Sequence, residues 1–488
     1  MTEPAPVHTV TTIGWWVFPF CLLAFVVALF FGGGQVPGRM PDAVVQLASL
    51  PLLVIVVGTL MATPPRGALA TVIVFCVLIF LLPMAQLIPL PPSLWAQLPG
   101  RESVAAIYDL VGMERPPLPL SLSPLATAFS AYSLVPSLAI FLACLLMSRK
   151  QINYLLMALM AYGLFSLILA LTQLAFPVQS LRTYNNSEFL TDATGLFTGR
   201  NNLAALFYSV LPITIALTAM AATTERRHSS FRYFYAALGA IVCLLFFLGI
   251  LMARSRAGLL LGLAGAFATL AAVLLSREGG GGPRHWKTAI IVAAFVVVSG
   301  LFVLDVGFYR IAGRLSQNVA DDLRWPIFQT TWKALQDFLP FGSGFGTFVP
   351  IFMEYEGIGT LDRYYVNHAH NDWIEVVFEG GIPAAILTLA GIAYLLRCIV
   401  KAERSEMELG DRHLFRAALV VIAALLIHTG FEYPLRTQAL MAVMAVMLAI
   451  VVRPHVAADA AQRARRRRPN RSARSVAPAG IQYGEIVA

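Results

Sequence analysis

Two histidines stand in a polar segment just before an apolar stretch of the chain. His368 and His370 lie in the sequence YVNHAHNDW at residues 365–373. Histidine exchanges a proton near neutral pH, so a histidine at the edge of a membrane can act as a general base. A His-x-His pair can also bind a metal, but no third ligand is evident in the sequence, and we expect no metal. The pair therefore predicts a general base, with a structural histidine as the alternative.

Arginines occupy positions where membrane proteins seldom keep charge. Arg254 and Arg256 lie in MARSRAG at residues 252–258, between two apolar stretches with almost no loop. Charges so close to the hydrocarbon are costly and often mark a functional site. Ser255 can cap the following helix, which puts Arg256 in its first turn, where a bound anion would also face the positive end of the helix dipole. The alternative is that both arginines reach out to lipid headgroups.

The same placement recurs at two other arginines. Arg200 stands at the start of another apolar stretch, and Arg324 falls in the first turn of a helix predicted in a long loop. Together these arginines predict an anion site that needs no metal. A salt bridge to Asp321 or Asp322 is the competing explanation for Arg324, and a structural role is the competing explanation for Arg200.

A glycine-rich segment, GSGFGT at residues 342–347, follows that loop helix. Its backbone amides could cradle a phosphate. The pattern is short, and a plain tight turn explains it equally well.

Membrane helices must position these residues, because the composition excludes a soluble fold. Of the 488 residues, 58% are hydrophobic and 12% are charged, whereas about 25% are charged in a typical soluble domain. The apolar stretches are too long for the strands of a barrel. They lie at 15–31, 43–62, 67–88, 125–147, 152–176, 201–222, 233–252, 257–275, 288–306, 381–400, 414–428 and 437–453. The predicted fold class is an all-α polytopic membrane protein with about twelve transmembrane helices.

The basic residues predict the orientation of these helices. Most of the 35 lysines and arginines fall in segments that face the cytoplasm if both chain ends lie inside. Residues 307–380 then form one large outside loop, inserted in a transmembrane domain of residues 1–453. This loop contains a helix with Pro326 in its first turn. Residues 454–488 are rich in arginine and predict a disordered cytoplasmic tail near anionic lipid. The net charge of +9 reflects this bias, and we expect no nucleic-acid partner.

Taken in order, these residues resemble the O-antigen ligase and polymerase family of bacterial envelopes. His370 and Asn371, followed by nine residues and Gly381, resemble the family's His-Asn-x9-Gly signature. The sequence PFGSGFGTF at 340–348 is similar to the family's glycine segment, and HTGFEYPLR at 428–436 looks like another family segment.

The arginines extend the resemblance. Arg324 matches the family's loop arginine, and Arg256 matches the arginine of its S-R-g motif. Arg200, in FTGRNNLA, looks like the family's N-r-N-h-x-A segment. Gly199 replaces the usual asparagine there and Asn202 replaces the usual histidine, so Asn202 is a poor candidate for chemistry.

The resemblance covers about residues 85–445 and implies both a fold and a reaction. The fold is that of the integral-membrane glycosyltransferases called GT-C, and the large loop is periplasmic. The donor is a glycan on undecaprenyl diphosphate, and the acceptor is a sugar hydroxyl on lipid A-core or on another lipid-linked repeat. The protein would lie in the bacterial inner membrane, in contact with membrane lipids, with its active site facing the periplasm.

The resemblance also implies roles for particular residues. His370 would take the proton from the attacking hydroxyl, with inversion at the anomeric carbon. Arg256 and Arg324 would stabilise the charge of the diphosphate in place of a metal ion, and no cofactor is expected. Arg200 and Arg254 are further diphosphate-binding candidates, and Asn371, Gly381 and Glu375 are supporting residues, Glu375 by orienting the region.

Several functions are compatible with this signature. An O-antigen ligase, a polymerase of O-antigen or exopolysaccharide, and an enzyme that transfers glycan to protein share donor and chemistry; we slightly favour a polymerase. A lipid or polysaccharide transporter of the inner membrane is the alternative from another class, but it should carry charges at mid-membrane and repeated halves. The polar residues gather on the outer side instead, which favours an interfacial enzyme. A structural scaffold leaves Arg256 and His370 unexplained.

Overall fold

The computed structural model describes residues 15–36, 38–182, 184, 192–224, 229–276, 324–358 and 365–467. Every predicted apolar stretch except 288–306, which lies outside the described residues, coincides with a helix. Nine helices in the described part of the chain are long and apolar enough to cross a membrane. The prediction of an all-α, multi-pass membrane protein is therefore confirmed.

The described residues form fifteen α-helices. Up to residue 276 they are α1 (Val17–Phe31), α2 (Met40–Ala62), α3 (Ala68–Ala85), α4 (Pro92–Trp95), α5 (Glu102–Leu110), α6 (Pro124–Leu146), α7 (Arg149–Ala175), α8 (Arg200–Thr224), α9 (Ser229–Met252) and α10 (Arg256–Leu275). From residue 324 they are α11 (Arg324–Phe338), α12 (Phe348–Tyr355), α13 (Asp372–Glu403), α14 (Leu409–His428) and α15 (Gln438–Arg467). Two short antiparallel strands, β1 (Pro89–Leu90) and β2 (Leu118–Pro119), pair between α3 and α6.

Two helices form the interior of the bundle. In the most apolar 18-residue segment of α8 and of α15, 72% of the residues are buried, against 11% in the corresponding segment of α13. Helix α8 packs against α9, α10 and α14, and α15 packs against α6. Small buried residues such as Ala439, Ala442 and Ala445 let α15 approach its neighbours closely, which is how membrane helices gain packing energy.

A second, smaller core lies in the region predicted as the large loop. Helices α11 and α12 and the first turns of α13 bury Leu335, Phe348, Phe352 and Phe378 together. Helix α11 begins at Arg324, as expected from the sequence, and ends before Pro340. This core ties the arginine at the start of α11 to the segment that carries the histidines.

The structure differs from the expectation at two helix ends. Helix α13 begins at Asp372, capped by Asn371, and continues through a kink at Gly381 into the stretch predicted from 381. Helix α15 runs to Arg467, whereas the sequence predicted a disordered tail from residue 454. Alanine and arginine favour helix there, and the Asp459 carboxylate accepts a hydrogen bond from the Ala68 amide at 3.1 Å. Residues 468–488 lie outside the described part of the chain.

Candidate functional site

The histidine segment is held in place by the start of α13. The Asn371 side chain caps this helix by accepting hydrogen bonds from the Trp373 and Ile374 amides, at 3.0 and 3.3 Å. His370, just before the cap, has a φ of 51°, a left-handed conformation that is uncommon for residues other than glycine. The Asp372 amide donates to the Thr429 carbonyl at 2.8 Å. The cap and this contact fix the position of His370 relative to the start of α13.

One buried carboxylate gathers three predicted elements of the site. Glu432, whose side chain is 8% exposed, has its Oε2 at 3.3 Å from Nδ1 of His370. Its Oε1 accepts hydrogen bonds from the Arg324 guanidinium and from the side-chain amide of Asn201, the latter at 2.6 Å. The starts of α8 and α11 and the histidine segment therefore meet at Glu432, in the loop between α14 and α15.

The surroundings of Glu432 keep it ionised. Burial alone would raise the pKa of this carboxyl group, but the contacts with His370 and Arg324 outweigh burial and lower it. A carboxylate in this position attracts the Arg324 guanidinium and orients the His370 ring.

A second carboxylate joins two more of the predicted arginines. Asp192, with a side chain 7% exposed, lies 2.5 Å from Arg200 and 3.4 Å from Arg254. The Arg182 guanidinium donates to the Asp192 carbonyl at 2.9 Å. Because Arg200 and Asn201 are neighbours in sequence, the Asp192 and Glu432 clusters lie side by side at the start of α8.

Arg256 stands where the sequence predicted it. It is the first residue of α10, and the Ser255 hydroxyl caps that helix by accepting from the Gly258 amide at 3.1 Å. The Arg256 side chain is exposed, whereas those of Arg200 and Arg254 are partly buried. Arg254, two residues earlier, belongs to the Asp192 cluster, so the turn before α10 presents both guanidinium groups at this end of the bundle.

A buried ionic cluster lies beside the histidine segment, at the start of α13. The Arg436 guanidinium lies 2.8 Å from Asp372, 3.2 Å from Glu375 and 3.4 Å from Glu379. These carboxylates follow one another along the first turns of α13, so a single arginine contacts all three on one face of the helix start. Replacing Arg436 alone would leave uncompensated buried charge, which is strongly destabilising.

Glu375 connects this cluster to the histidines. Its carboxylate lies 2.8 Å from Nδ1 of His368 and accepts a hydrogen bond from the Ala369 amide at 2.7 Å. It thus holds the two residues that precede His370. This geometry agrees with the orienting role expected of Glu375.

The amides of the glycine-rich segment are already used within the protein. The Gly346 and Phe348 amides donate to the Glu379 carboxylate at 2.9 and 3.2 Å. The Gly344 amide donates to the Glu379 carbonyl at 2.9 Å, and the Phe345 amide donates to the Gln86 side chain at 3.0 Å. Of the two interpretations of this segment, the structure therefore favours the tight turn over the phosphate cradle.

Gly381 belongs to the same close contact. Its φ is 64°, and a Cβ there would collide with the Pro340 carbonyl. A Cβ at Gly342 would in turn collide with the Glu379 carbonyl. The Ile382 amide donates to the Pro340 carbonyl at 2.8 Å across this contact. The signature glycine therefore allows two backbones to meet at the kink of α13.

The two histidines face different partners. His368 directs Nδ1 to Glu375 and Nε2 to the Gln35 carbonyl, at 2.8 and 3.2 Å, whereas His370 faces Glu432. Their rings therefore do not converge as a pair of metal ligands would. Over the described ranges there is no group of three histidine, cysteine, aspartate or glutamate side chains that could hold a metal ion.

The structure brings His370 and Arg324 together at Glu432 and brings Arg200 and Arg254 together at Asp192. It also adds partners that sequence reasoning missed. Asp192, Glu432 and Arg436 were not predicted as site residues. Glu432 and Arg436 lie in the sequence HTGFEYPLR, a short polar segment between two apolar stretches. That position was the signal that could have identified them.

Comparison with known proteins gives one match. Residues 241–389 match a family model described as O-antigen ligase. The match includes Arg254, Arg256, Arg324 and His370, whereas Glu432 lies beyond it. It supports the family to which the motifs pointed, and it indicates a membrane enzyme that processes glycans. No curated protein matches the chain.

Proposed function

From the match of residues 241–389 to the O-antigen ligase family model, we propose that the protein is a membrane glycosyltransferase. It transfers a glycan from undecaprenyl diphosphate to a sugar hydroxyl at the periplasmic face of the bacterial inner membrane. The observation that carries this proposal is the convergence of His370 and Arg324 on one buried carboxylate, Glu432. A base and a cation held side by side are what this transfer needs.

His370 is the proposed general base. Its Nδ1 faces Glu432, which leaves Nε2 to accept the proton of the acceptor hydroxyl. The acceptor oxygen forms a bond to the anomeric carbon as the bond from that carbon to the diphosphate oxygen breaks, with inversion. The electron pair of the broken bond leaves with undecaprenyl diphosphate.

The arginines are proposed to bind the diphosphate and to stabilise the charge that develops on it. Guanidinium groups stay charged and pair with phosphate oxygens through two parallel hydrogen bonds. Arg256 and Arg324 carry the main contact, and Arg200 and Arg254 extend it. Fixed cations of this kind can supply the electrostatic stabilisation that a metal ion supplies in other transferases.

The acceptor distinguishes the possible members of this class. We favour another lipid-linked repeat, which makes the enzyme a polymerase; lipid A-core would make it a ligase. Disruption of the gene separates the two: single lipid-linked repeats accumulate if a polymerase is lost, and unattached polymer accumulates if a ligase is lost.

Turnover of a lipid-linked donor by purified protein in lipid nanodiscs tests the proposal. Substituting His370→Gln should reduce the rate roughly 10²–10⁴-fold, the usual range for loss of a general base. Donor binding should change little, because the arginines hold the diphosphate. His455→Gln is the matched control, since His455 is buried in α15 against Tyr394, in another part of the bundle. A folded His370→Gln protein with near-normal turnover would contradict the proposed base.

A further inference from the structure

Helix α11 carries an exposed strip of aromatic rings. Trp325 stacks on Phe328, with ring centroids 5.6 Å apart and planes 14° apart. Phe328 stacks on Trp332, with centroids 6.3 Å apart and planes 17° apart. Trp325 is 64% exposed and Trp332 is 51% exposed. The three rings, named here the aromatic strip, therefore lie stacked along α11, with the half-buried Phe328 between two exposed tryptophans.

The two tryptophans of the strip do not belong to the loop core, whereas Phe328 between them packs against it. Helix α11 buries Ile327, Leu335 and Phe338 in that core. The exposed side chains of α11 include Gln329 and Gln336, which lie beside the rings. Among the side chains of α11 no aliphatic one is exposed. The outer face thus combines flat rings with amide groups.

That combination matches a sugar more closely than a lipid tail. A pyranose ring has an apolar C–H face, which can stack on an aromatic ring, and a rim of hydroxyl groups, which amides can bind. Lipid chains offer no partner for amide groups, which are costly to bury without a hydrogen bond. Large exposed apolar patches rimmed by polar residues are typical of binding sites.

The strip is continuous with the candidate site. Residues four apart are neighbours on a helix surface, so Phe328 lies next to Arg324, which contacts Glu432. The seven residue steps from Trp325 to Trp332 span about 10 Å of helix, at 1.5 Å per step. A chain that leaves the site beside Arg324 would meet the rings one after another.

We propose that the aromatic strip binds consecutive sugar rings of the glycan on the lipid-linked donor. The proposal rests on the proposed function and deepens it by assigning a subsite for the glycan part of the substrate. The diphosphate is held by the arginines, and the sugars that extend from it stack on α11. Such a subsite makes the enzyme prefer donors with several sugars over donors with one.

Substrate preference provides the first test. The double substitution Trp325→Ala and Trp332→Ala should reduce the preference, in kcat/KM, for a donor with several sugars over a donor with one sugar by roughly tenfold, since each lost stacking contact weakens binding several-fold. Changing both residues to Tyr keeps the rings and should restore most of the preference. Trp16→Ala is the matched control, because Trp16 is 58% exposed at the start of α1. An unchanged preference in the alanine protein would overturn the proposal.

Binding without turnover provides the second test. The free oligosaccharide, released from the donor by mild acid, should change the tryptophan fluorescence of the wild-type protein and not that of the alanine protein. Absence of any change in the wild type would overturn the subsite. Quenching of Trp325 and Trp332 by spin-labelled lipid would also overturn it, since the strip would then lie in the membrane. If the sugar binds at the strip but the wild type transfers no glycan, the proposed function fails and the subsite stands.

Discussion

Substitution Glu432→Gln isolates the contribution of the carboxylate at the centre of the site. Glutamine keeps the size of the side chain but removes its charge and replaces one acceptor oxygen with a donor. The change acts on the contact with His370 at 3.3 Å and on the pairing with Arg324. The hydrogen bond from Asn201, at 2.6 Å, can persist if the remaining oxygen keeps its place.

The geometry sets the size of the expected effect. A hydrogen bond to a charged group contributes about 1.5–3 kcal/mol. The Arg324 side chain is 44% exposed, so solvent screens its share of the interaction, and the His370 contact is long. We therefore expect a loss of about 2 kcal/mol of transition-state stabilisation, which corresponds to roughly 30-fold in kcat.

Single-turnover measurements on protein in nanodiscs check this value. Glu408→Gln serves as a control, because Glu408 is 81% exposed and pairs with Arg149 at another part of the bundle. Glu432→Asp keeps the charge and should fall between wild type and Glu432→Gln. A Glu432→Gln protein that melts like wild type and turns over within twofold of it would refute the orienting role of Glu432.

Three further predictions concern the arginines, the membrane topology and His368. Arg256→Ala and Arg324→Ala should each raise the KM for the donor and lower kcat, while excess EDTA leaves wild-type activity intact; activity lost in EDTA and restored by Mg²⁺ would contradict diphosphate binding by arginine alone. Single cysteines at Gly357 and Ser475 should react with impermeant reagents from opposite sides of the membrane, and reaction from one side would contradict the proposed orientation. Burial lowers the pKa of His368, but the Glu375 carboxylate raises it more, so the net pKa lies above its ordinary value of 6.5. Stability from this pair is therefore complete below that value and lost as pH rises through the higher folded-state pKa; the melting temperature should fall over that window in wild type and stay flatter in His368→Gln, and equal slopes would refute the pairing.

Within the described residues, the sequence was sufficient to predict the apolar helices, because the bilayer demands long apolar stretches that few other constraints can produce. The same reliance on apolar stretches made the predicted start of α13 wrong. Asp372, Glu375 and Glu379 interrupt the apolar pattern, so the helix was expected to begin only at 381. All three pair with Arg436, which lies far away in sequence. Such a pairing is a property of the folded chain and leaves no local periodicity.

Residue type and position identified His370 and the arginines, but not the groups that hold them. A cation in the first turn of a helix opposes the helix dipole, so Arg200 and Arg324 required a nearby anion. The sequence suggested a ligand, or Asp321 and Asp322, as that anion. Among the described residues, Asp192 and Glu432 supply negative charge, and Asp321 and Asp322 lie outside the described part of the chain. The physical argument therefore predicted correctly that each arginine needs a nearby anion. It could not identify the carboxylate that supplies this anion, because the sequence contains several carboxylates that could pair with the arginines.

The glycine-rich segment shows why a motif of small residues does not determine its own function. Glycine makes backbone amides accessible, but what they bind depends on what approaches them. Here the approaching group is α13, whose Glu379 accepts from the Gly344 and Gly346 amides. The same contact brings Gly342 against Gly381 at the kink. A side chain at either glycine would separate the turn from α13 and shift the helix start that carries Glu375, and with it the segment that presents His370. The signature glycine thus fixes the geometry of the segment that presents His370, at a distance from the groups proposed to react.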